Sequence, residues 1–487
     1  KCLMTITERI TKLLEALCNG FLEREPYIQL GFLASVVGAP LYICGKPASG
    51  KSLIASRLTA AYKNPRILKA GRHQQKFPEK LSDFDIIIFQ SFNSSDEVTK
   101  ENIHTAIYDR KDATLILTGD QRPETALNNI NASDHIVLSM SLPESLSPKA
   151  LCSILQDQTM LNEPKIPDEL VLTREEQLQW MSEIKNVTLS EDTLAIIGKL
   201  AEICDKHDIY VPIHKWIALT NIVKATAFFN GRTSTRFTDT LFLGTPIWGK
   251  ASADTIINEN FGNVVQSVLL KNVAESIGNP FDAAANNTKV KNLLHRSNNL
   301  YETKMFNNEP CLHYRITISG EATPLYVPLR YVETDEDFHP FNELKQVESR
   351  VRCNYHGTSN CSISIDPNVK GTGLRTSVKT NNPSTKFEDY AKMPSYVLRE
   401  DDPEICAKKK EELAELKKET DLQLERQTKL LLAIRDIYRA NKEFRTDLFC
   451  NLEIYDKIQN NLREIFETVS ATANIIKETT ALFAEVK

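Results

Sequence analysis

The segment Leu41-Tyr-Ile-Cys-Gly-Lys-Pro-Ala-Ser-Gly-Lys-Ser52 constrains the fold more than any other part of the chain. It follows the pattern G-x-x-x-x-G-K-S, with Gly45, Gly50, Lys51 and Ser52 in the fixed places. The apolar run Leu41 to Cys44 predicts a buried strand, and Leu53, Ile54, Leu58 and Ala61 fall on one side of a following helix. Strand, glycine-bearing loop and helix are the context this motif requires. The glycines let successive N–H groups and a helix N-terminus close on a phosphate chain. Gly45, Lys46, Pro47, Ala48, Ser49, Gly50, Lys51, Ser52 and Leu53 are therefore the candidate residues for ATP or ADP. Lys51 is expected to reach the β and γ phosphates, and Ser52 to hold Mg2+. A glycine-rich turn without a ligand is the plainer alternative, and the flanking strand and helix weigh against it.

A chain of 487 residues leaves room for roughly three domains at ~150 residues each. Its net charge of −5 gives no whole-chain reason to expect nucleic acid or a polyanionic surface. The 10 cysteines are scattered, without a C-x-x-C or a Cys/His cluster. That suits reduced, mostly buried thiols in the cytoplasm rather than a disulfide framework or a zinc site. No apolar run has membrane-spanning length, and no signal peptide is visible.

Along the chain, Thr7 is the expected cap of a helix carrying Ile10, Leu13, Leu14 and Leu17, and a second helix runs from Tyr27 to Val37. Residues 63–84 are polar and without pattern. Strands are expected at Asp85–Phe89, Thr114–Thr118 and Ile136–Met140, with a helix from Glu97 to Tyr108. Strands alternating with helices indicate a parallel sheet. From Pro148 to about Trp248 the pattern is helical, and Asp254 to Ile277 reads as one long helix. Short alternating strands follow at His313–Ile318, Leu325–Tyr331 and Ser362–Ile365, and 368–388 reads as polar and mobile. Two long helices close the chain. In the second, Tyr455, Leu462, Val469, Ile476 and Phe483 recur every seventh residue, with Ile458 and Ile465 between them. Leu413, Leu416, Leu424, Leu431, Ile434 and Tyr438 lie just upstream, so a hairpin packed on its own chain is favoured over an intermolecular zipper. Lys408 to Lys410 sit among glutamates and read as a solvated face.

Several stretches together resemble the MoxR-type AAA+ ATPases, and within them the RavA-like subfamily. They are Glu23-Arg-Glu25 and Gly38 before the phosphate loop, Ala106-Ile-Tyr-Asp-Arg110, Tyr210-Val211 with Trp216, and Ala225-Thr-Ala-Phe-Phe-Asn-Gly-Arg232. The resemblance implies an α/β phosphate-loop AAA+ core with a parallel sheet, an all-α lid, and a helical stalk interrupted by a small β-rich insertion. The corresponding boundaries are 1–147, 148–250, 251–300 with 396–487, and 301–395. It also implies a homo-oligomer such as a hexameric ring, and a von Willebrand-A-domain protein as partner of the insertion.

This chain departs from that family at the groups that do chemistry. Where the family's second buried strand ends in Asp-Glu, this chain has Gln90 and Ser91. Neither is a base, and neither brings negative charge to a divalent cation. An Asn that helps hold the attacking water is replaced by Asp120, and the Asp-Arg pair that supplies a cation to a neighbouring subunit is Asp134-His135. The lid arginine is replaced in Pro212-Ile213-His214, with Lys215 following. The segment that carries a pore loop in the family is short here. Phosphoryl transfer relies on positioning and charge stabilisation, so these losses fall on hydrolysis more than on binding. The favoured expectation is a nucleotide-binding scaffold or chaperone-like subunit with weak or no hydrolysis. The alternative is an active AAA+ remodeller completed by a partner. A small-molecule kinase is a weaker third, since no arginine-rich lid is visible.

Overall fold

The computed structural model describes residues 4–70, 77–92, 97–127, 132–158, 162–296, 304–318, 321–331, 336–355, 361–365, 395–396 and 403–484. They fall into two units, 1–280 with 428–470 and 281–427 with 471–487.

The first unit opens with α1 (Ile6–Cys18) and α2 (Glu25–Val36). Thr5, not Thr7, caps α1: its hydroxyl accepts from the Glu8 N–H while the Glu8 carboxylate accepts from the Thr5 N–H. The reciprocal pair needs an acid three residues after the cap, which Thr5 has and Thr7 lacks. Then come β1 (Leu41–Cys44), α3 (Lys51–Thr59), β2 (Ile67–Ala70), β3 (Ile86–Phe92), α4 (Glu97–Asp109), β4 (Thr114–Gly119), α5 (Pro123–Ala126) and β5 (Leu138–Ser141). All five strands are parallel, in the order β2-β3-β4-β1-β5. β2 lies in the stretch that reads as patternless. As a short edge strand it needs only Leu68 and Ala70 to face the core.

Alternation along the strands divides the core between the two faces of the sheet. Leu41, Ile43, Ile86, Ile88 and Ile116 pack with α1, α2 and α3 on one side. Tyr42, Cys44, Ile87, Phe89, Leu115 and Leu117 pack with Ile103 and Ala106 of α4 on the other. Burial on both faces explains why β1 and β4 read as near-continuous apolar runs.

Helices α6 (Pro148–Gln156), α7 (Arg174–Lys185), α8 (Glu191–Lys206), α9 (Ile213–Phe229), α10 (Ala251–Leu269) and α11 (Ala274–Gly278) follow. The long helix expected from Asp254 to Ile277 is thus broken after Leu269. Leu270 turns into the core and Lys271 turns out to Asp192 in the first turn of α8, at 2.8 Å. The later part of this unit adds Leu430, Ile434, Tyr455, Ile458 and Leu462 to the same core. Arg232 joins the two parts through Asp239, at 2.7 Å, and Asp447, at 3.2 Å.

The second unit holds α12 (Ala283–Leu294), whose Val290 and Leu294 pack with Leu413, Leu416 and Phe483. Buried Asn286 donates to Thr420 at 2.9 Å and Asn287 to Thr479 at 2.8 Å, so both amides are satisfied. β6 (His295–Arg296) pairs antiparallel with β13 (Ser395–Tyr396). Between them lie two small antiparallel sheets. One is β7 (Lys304–Phe306), β8 (Glu309–Ile318) and β9 (Glu321–Pro328); the other is β10 (Asp337–Phe338), β11 (Val351–Tyr355) and β12 (Cys361–Ile365). Residues 368–388 lie outside the described residues. The closing helices are α13 (Pro403–Lys442) and α14 (Leu452–Ala484). Among the described cysteines, Cys18, Cys44, Cys152, Cys204, Cys311 and Cys450 are free thiols, of which Cys44, Cys204 and Cys311 are buried and Cys152 is exposed. No helix among the described residues is long and apolar enough to cross a membrane.

Candidate functional site

β1 is a central strand, flanked by β4 and β5, and the phosphate-loop motif leaves its C-terminal end. The turn needs left-handed backbone twice, at Ala48 (φ 64°) and at Gly50 (φ 96°). Gly45 has a different reason to be glycine: a Cβ there would stand 2.6 Å from the Ser49 hydroxyl. That hydroxyl is buried and has no hydrogen-bond partner among the described residues. The Gly45 N–H donates to Gly119 O at 3.1 Å, which ties the loop to the end of β4. The N–H groups of Gly50, Lys51, Ser52 and Leu53 have no backbone acceptor among the described residues. They form the open first turn of α3, a donor set suited to anionic oxygens. Ser52 and Leu53 are exposed beside them, as are Lys46, Pro47 and Ala48.

Lys51 is buried, and its ammonium has three acceptors. They are Gly45 O at 2.5 Å, Lys46 O at 2.7 Å and the Asp120 carboxylate at 2.9 Å. Asp120 follows the last residue of β4, the strand beside β1. Its neighbours are fixed on both sides, Gly119 by the Gly45 N–H and Gln121 by the Tyr42 hydroxyl, which donates to Gln121 O at 2.8 Å. One residue further on, Arg122 pairs with Asp254 of α10 at 2.6 Å. Sequence reading placed Asp120 in the site but not its partner, and nothing in a lone Tyr within an apolar run signalled the Tyr42 anchor.

Gln90 and Ser91 stand one strand further from the loop, where β3 loses register with β4 between Phe89 and Phe92. Such a bulge re-aims side chains at a sheet edge. Gln90 is half-buried there, and the Ser91 side chain lies outside the described residues. Neither supplies a carboxylate, so Asp120 is the acid the fold sets against Lys51.

His135 and His214 are brought together, but not at the loop. His135 precedes β5 and so lies at the N-terminal edge of the parallel sheet, opposite the edge that carries the loop. The two imidazoles stack with centroids 4.7 Å apart. His214 Nε2 is 3.2 Å from Asp134 O, and His135 Nε2 is 2.8 Å from the Tyr108 hydroxyl. His214, in the segment that replaces the family's lid arginine, thus faces the far edge, because α9 starts against the turn before β5. Burial, then His214, holds the His135 pKa below its ordinary 6.5, with Asp134 opposing. Its neighbour Lys215 is buried and donates to Trp248 O at 3.0 Å.

The loop passes the test of fit for a phosphate chain. It offers an open helix N-terminus, an ammonium, an orphaned buried hydroxyl and, at Gly45, a wall that a Cβ would crowd. For magnesium, the motif supplies the hydroxyl of Ser52, an exposed residue in the first turn of α3. No group of three or more His, Cys, Asp or Glu occurs among the described residues to hold a metal without the phosphates.

Residues 192–261 match the model of the AAA lid domain family, a span that takes in nearly all of α8, all of α9 and the first part of α10. Among solved structures, a candidate ATPase from Cytophaga hutchinsonii is 15% identical, with 54% of this chain and 94% of that chain covered. Its TM-score of 0.41 is too low a likeness to support an inference. The fold is that of an AAA+ core, a phosphate-loop parallel sheet followed by a helical segment similar to the AAA lid domain.

Proposed function

We propose that this chain is an AAA+ protein of the MoxR type that holds ATP or ADP on Gly45–Leu53 and hydrolyses it slowly. The observation that carries the reading is the Lys51 ammonium set beside the open N–H groups of α3, while the end of β3 carries no carboxylate. The N–H groups of Gly50 to Leu53 and Lys51 bind and orient the phosphates. Magnesium, when bound, would neutralise their charge, and Ser52 is the group to hold it.

Hydrolysis also needs a water to be polarised and a cation opposite the transferring phosphoryl group. Gln90 can orient water but cannot take its proton. His135 stands where the family offers a neighbour an arginine, a group worth ~10³–10⁵ in rate. With its pKa below 6.5, His135 is mostly uncharged at neutral pH and supplies little of that charge. On this reading the losses fall on turnover, which is slow, and not on binding. Lys51→Ala tests the first half: titration with a fluorescent ADP analogue should show affinity reduced more than tenfold, as expected for a charged hydrogen-bond donor. Unchanged affinity would remove the loop from the site.

A further inference from the structure

We propose that Asp120 is an internal anion which occupies Lys51 until a nucleotide displaces it, and which weights the site toward ADP over ATP. The inference rests on the loop being the nucleotide site. An ammonium has three N–H donors. Gly45 O, Lys46 O and Asp120 Oδ1, at 2.5, 2.7 and 2.9 Å, use all of them. A phosphate oxygen can therefore be bound only if one of these acceptors lets go.

Asp120 is the acceptor that can be released. The two carbonyls belong to the loop, which is held by Gly45 N to Gly119 O at 3.1 Å and Ser49 N to Lys46 O at 3.2 Å. The Asp120 side chain is 40% exposed, so water can solvate its carboxylate once it leaves Lys51. It cannot go far, because the backbone on either side is pinned through Gly119 and Gln121. The freed carboxylate stays beside the incoming phosphates and repels them. Asp120 thus opposes binding by competing for the ammonium and then by repulsion. The repulsive part grows with the charge of the ligand, so ATP is penalised more than ADP. A divalent cation would relieve it, which is why the effect is clearest without one.

The test is the affinity of fluorescent ATP and ADP analogues in EDTA for wild type, Asp120→Asn and Asp120→Ala. Removing the negative charge should tighten ATP binding by on the order of tenfold, the size of a partly exposed charge-assisted contact, and ADP binding by less. The Asn variant keeps the shape and the Ala variant removes it, so a shared gain reports charge and not packing. Unchanged or weaker ATP affinity in both variants overturns the proposal, as does an equal gain for the two nucleotides. Lys51→Ala, run alongside, separates the two levels. Its retention of full affinity would contradict the loop reading itself, whereas loss of affinity there without a gain at Asp120 contradicts only this inference.

Discussion

At the scale of single residues, two buried lysines receive opposite treatment. Lys51 is paired with a carboxylate at 2.9 Å and two carbonyls, so its charge is matched within the site. Lys215 has the Trp248 carbonyl at 3.0 Å, and burial pushes its pKa down to about 8, with Asp134 and Asp254 opposing and Lys250 adding to the fall. A folded-state pKa below the ordinary 10.5 means that, between the two values, the unfolded chain binds a proton which the folded chain does not. Stability contributed by this group therefore rises with pH across that window, and below it the folded chain carries the full cost of a buried charge. Urea midpoints of wild type and Lys215→Met should show wild type gaining on the variant between about pH 8 and 10.5. Parallel curves would mean that Lys215 keeps its ordinary pKa.

At the scale of elements, what could be read in the sequence depended on how locally each feature was determined. The strand, loop and helix around Gly45 to Leu53 were legible because one backbone shape demands those residues at that spacing. β1, β3 and β4 were legible because burial on both faces leaves them apolar throughout. β2 was not, since an edge strand with Leu68 and Ala70 inward differs little from a loop. The break after Leu269 was equally hidden, because there Leu270 turns into a core built from distant parts of the chain. The candidate site divides the same way. Gln90 and Ser91 follow from the resemblance as the end of the second buried strand, but the bulge that carries them could not be read. Asp120 could be located, but its partner could not. The place of His214 follows from how α9 packs against the turn before β5, which no local pattern encodes.

At the scale of the whole molecule, the two-residue ladder between β6 and β13 sets Arg296 beside Ser395. The chain between them leaves and returns at one point, and two antiparallel strands so placed can be joined by a tight Asn-Gly turn. Replacing 297–394 by such a turn should leave the affinity for a fluorescent ADP analogue within about twofold of wild type, since the loop and its partners all lie in the other unit. Loss of nucleotide binding with loss of helical signal would show that this segment is needed for folding.

Whether this chain keeps nucleotide and turns it over poorly is tested in both parts by one single-turnover experiment. Radiolabelled ATP is mixed with excess protein and magnesium, and protein-bound ATP and released phosphate are followed together. ATP should be retained by wild type and not by Lys51→Ala, and cleaved far more slowly than the ~1 s⁻¹ at the low end of ordinary enzymes. Restoring acids with Gln90→Asp and Ser91→Glu should speed cleavage. Cleavage by wild type at ~1 s⁻¹ or faster would contradict slow turnover, and would make this a working remodeller whose catalytic groups lie elsewhere.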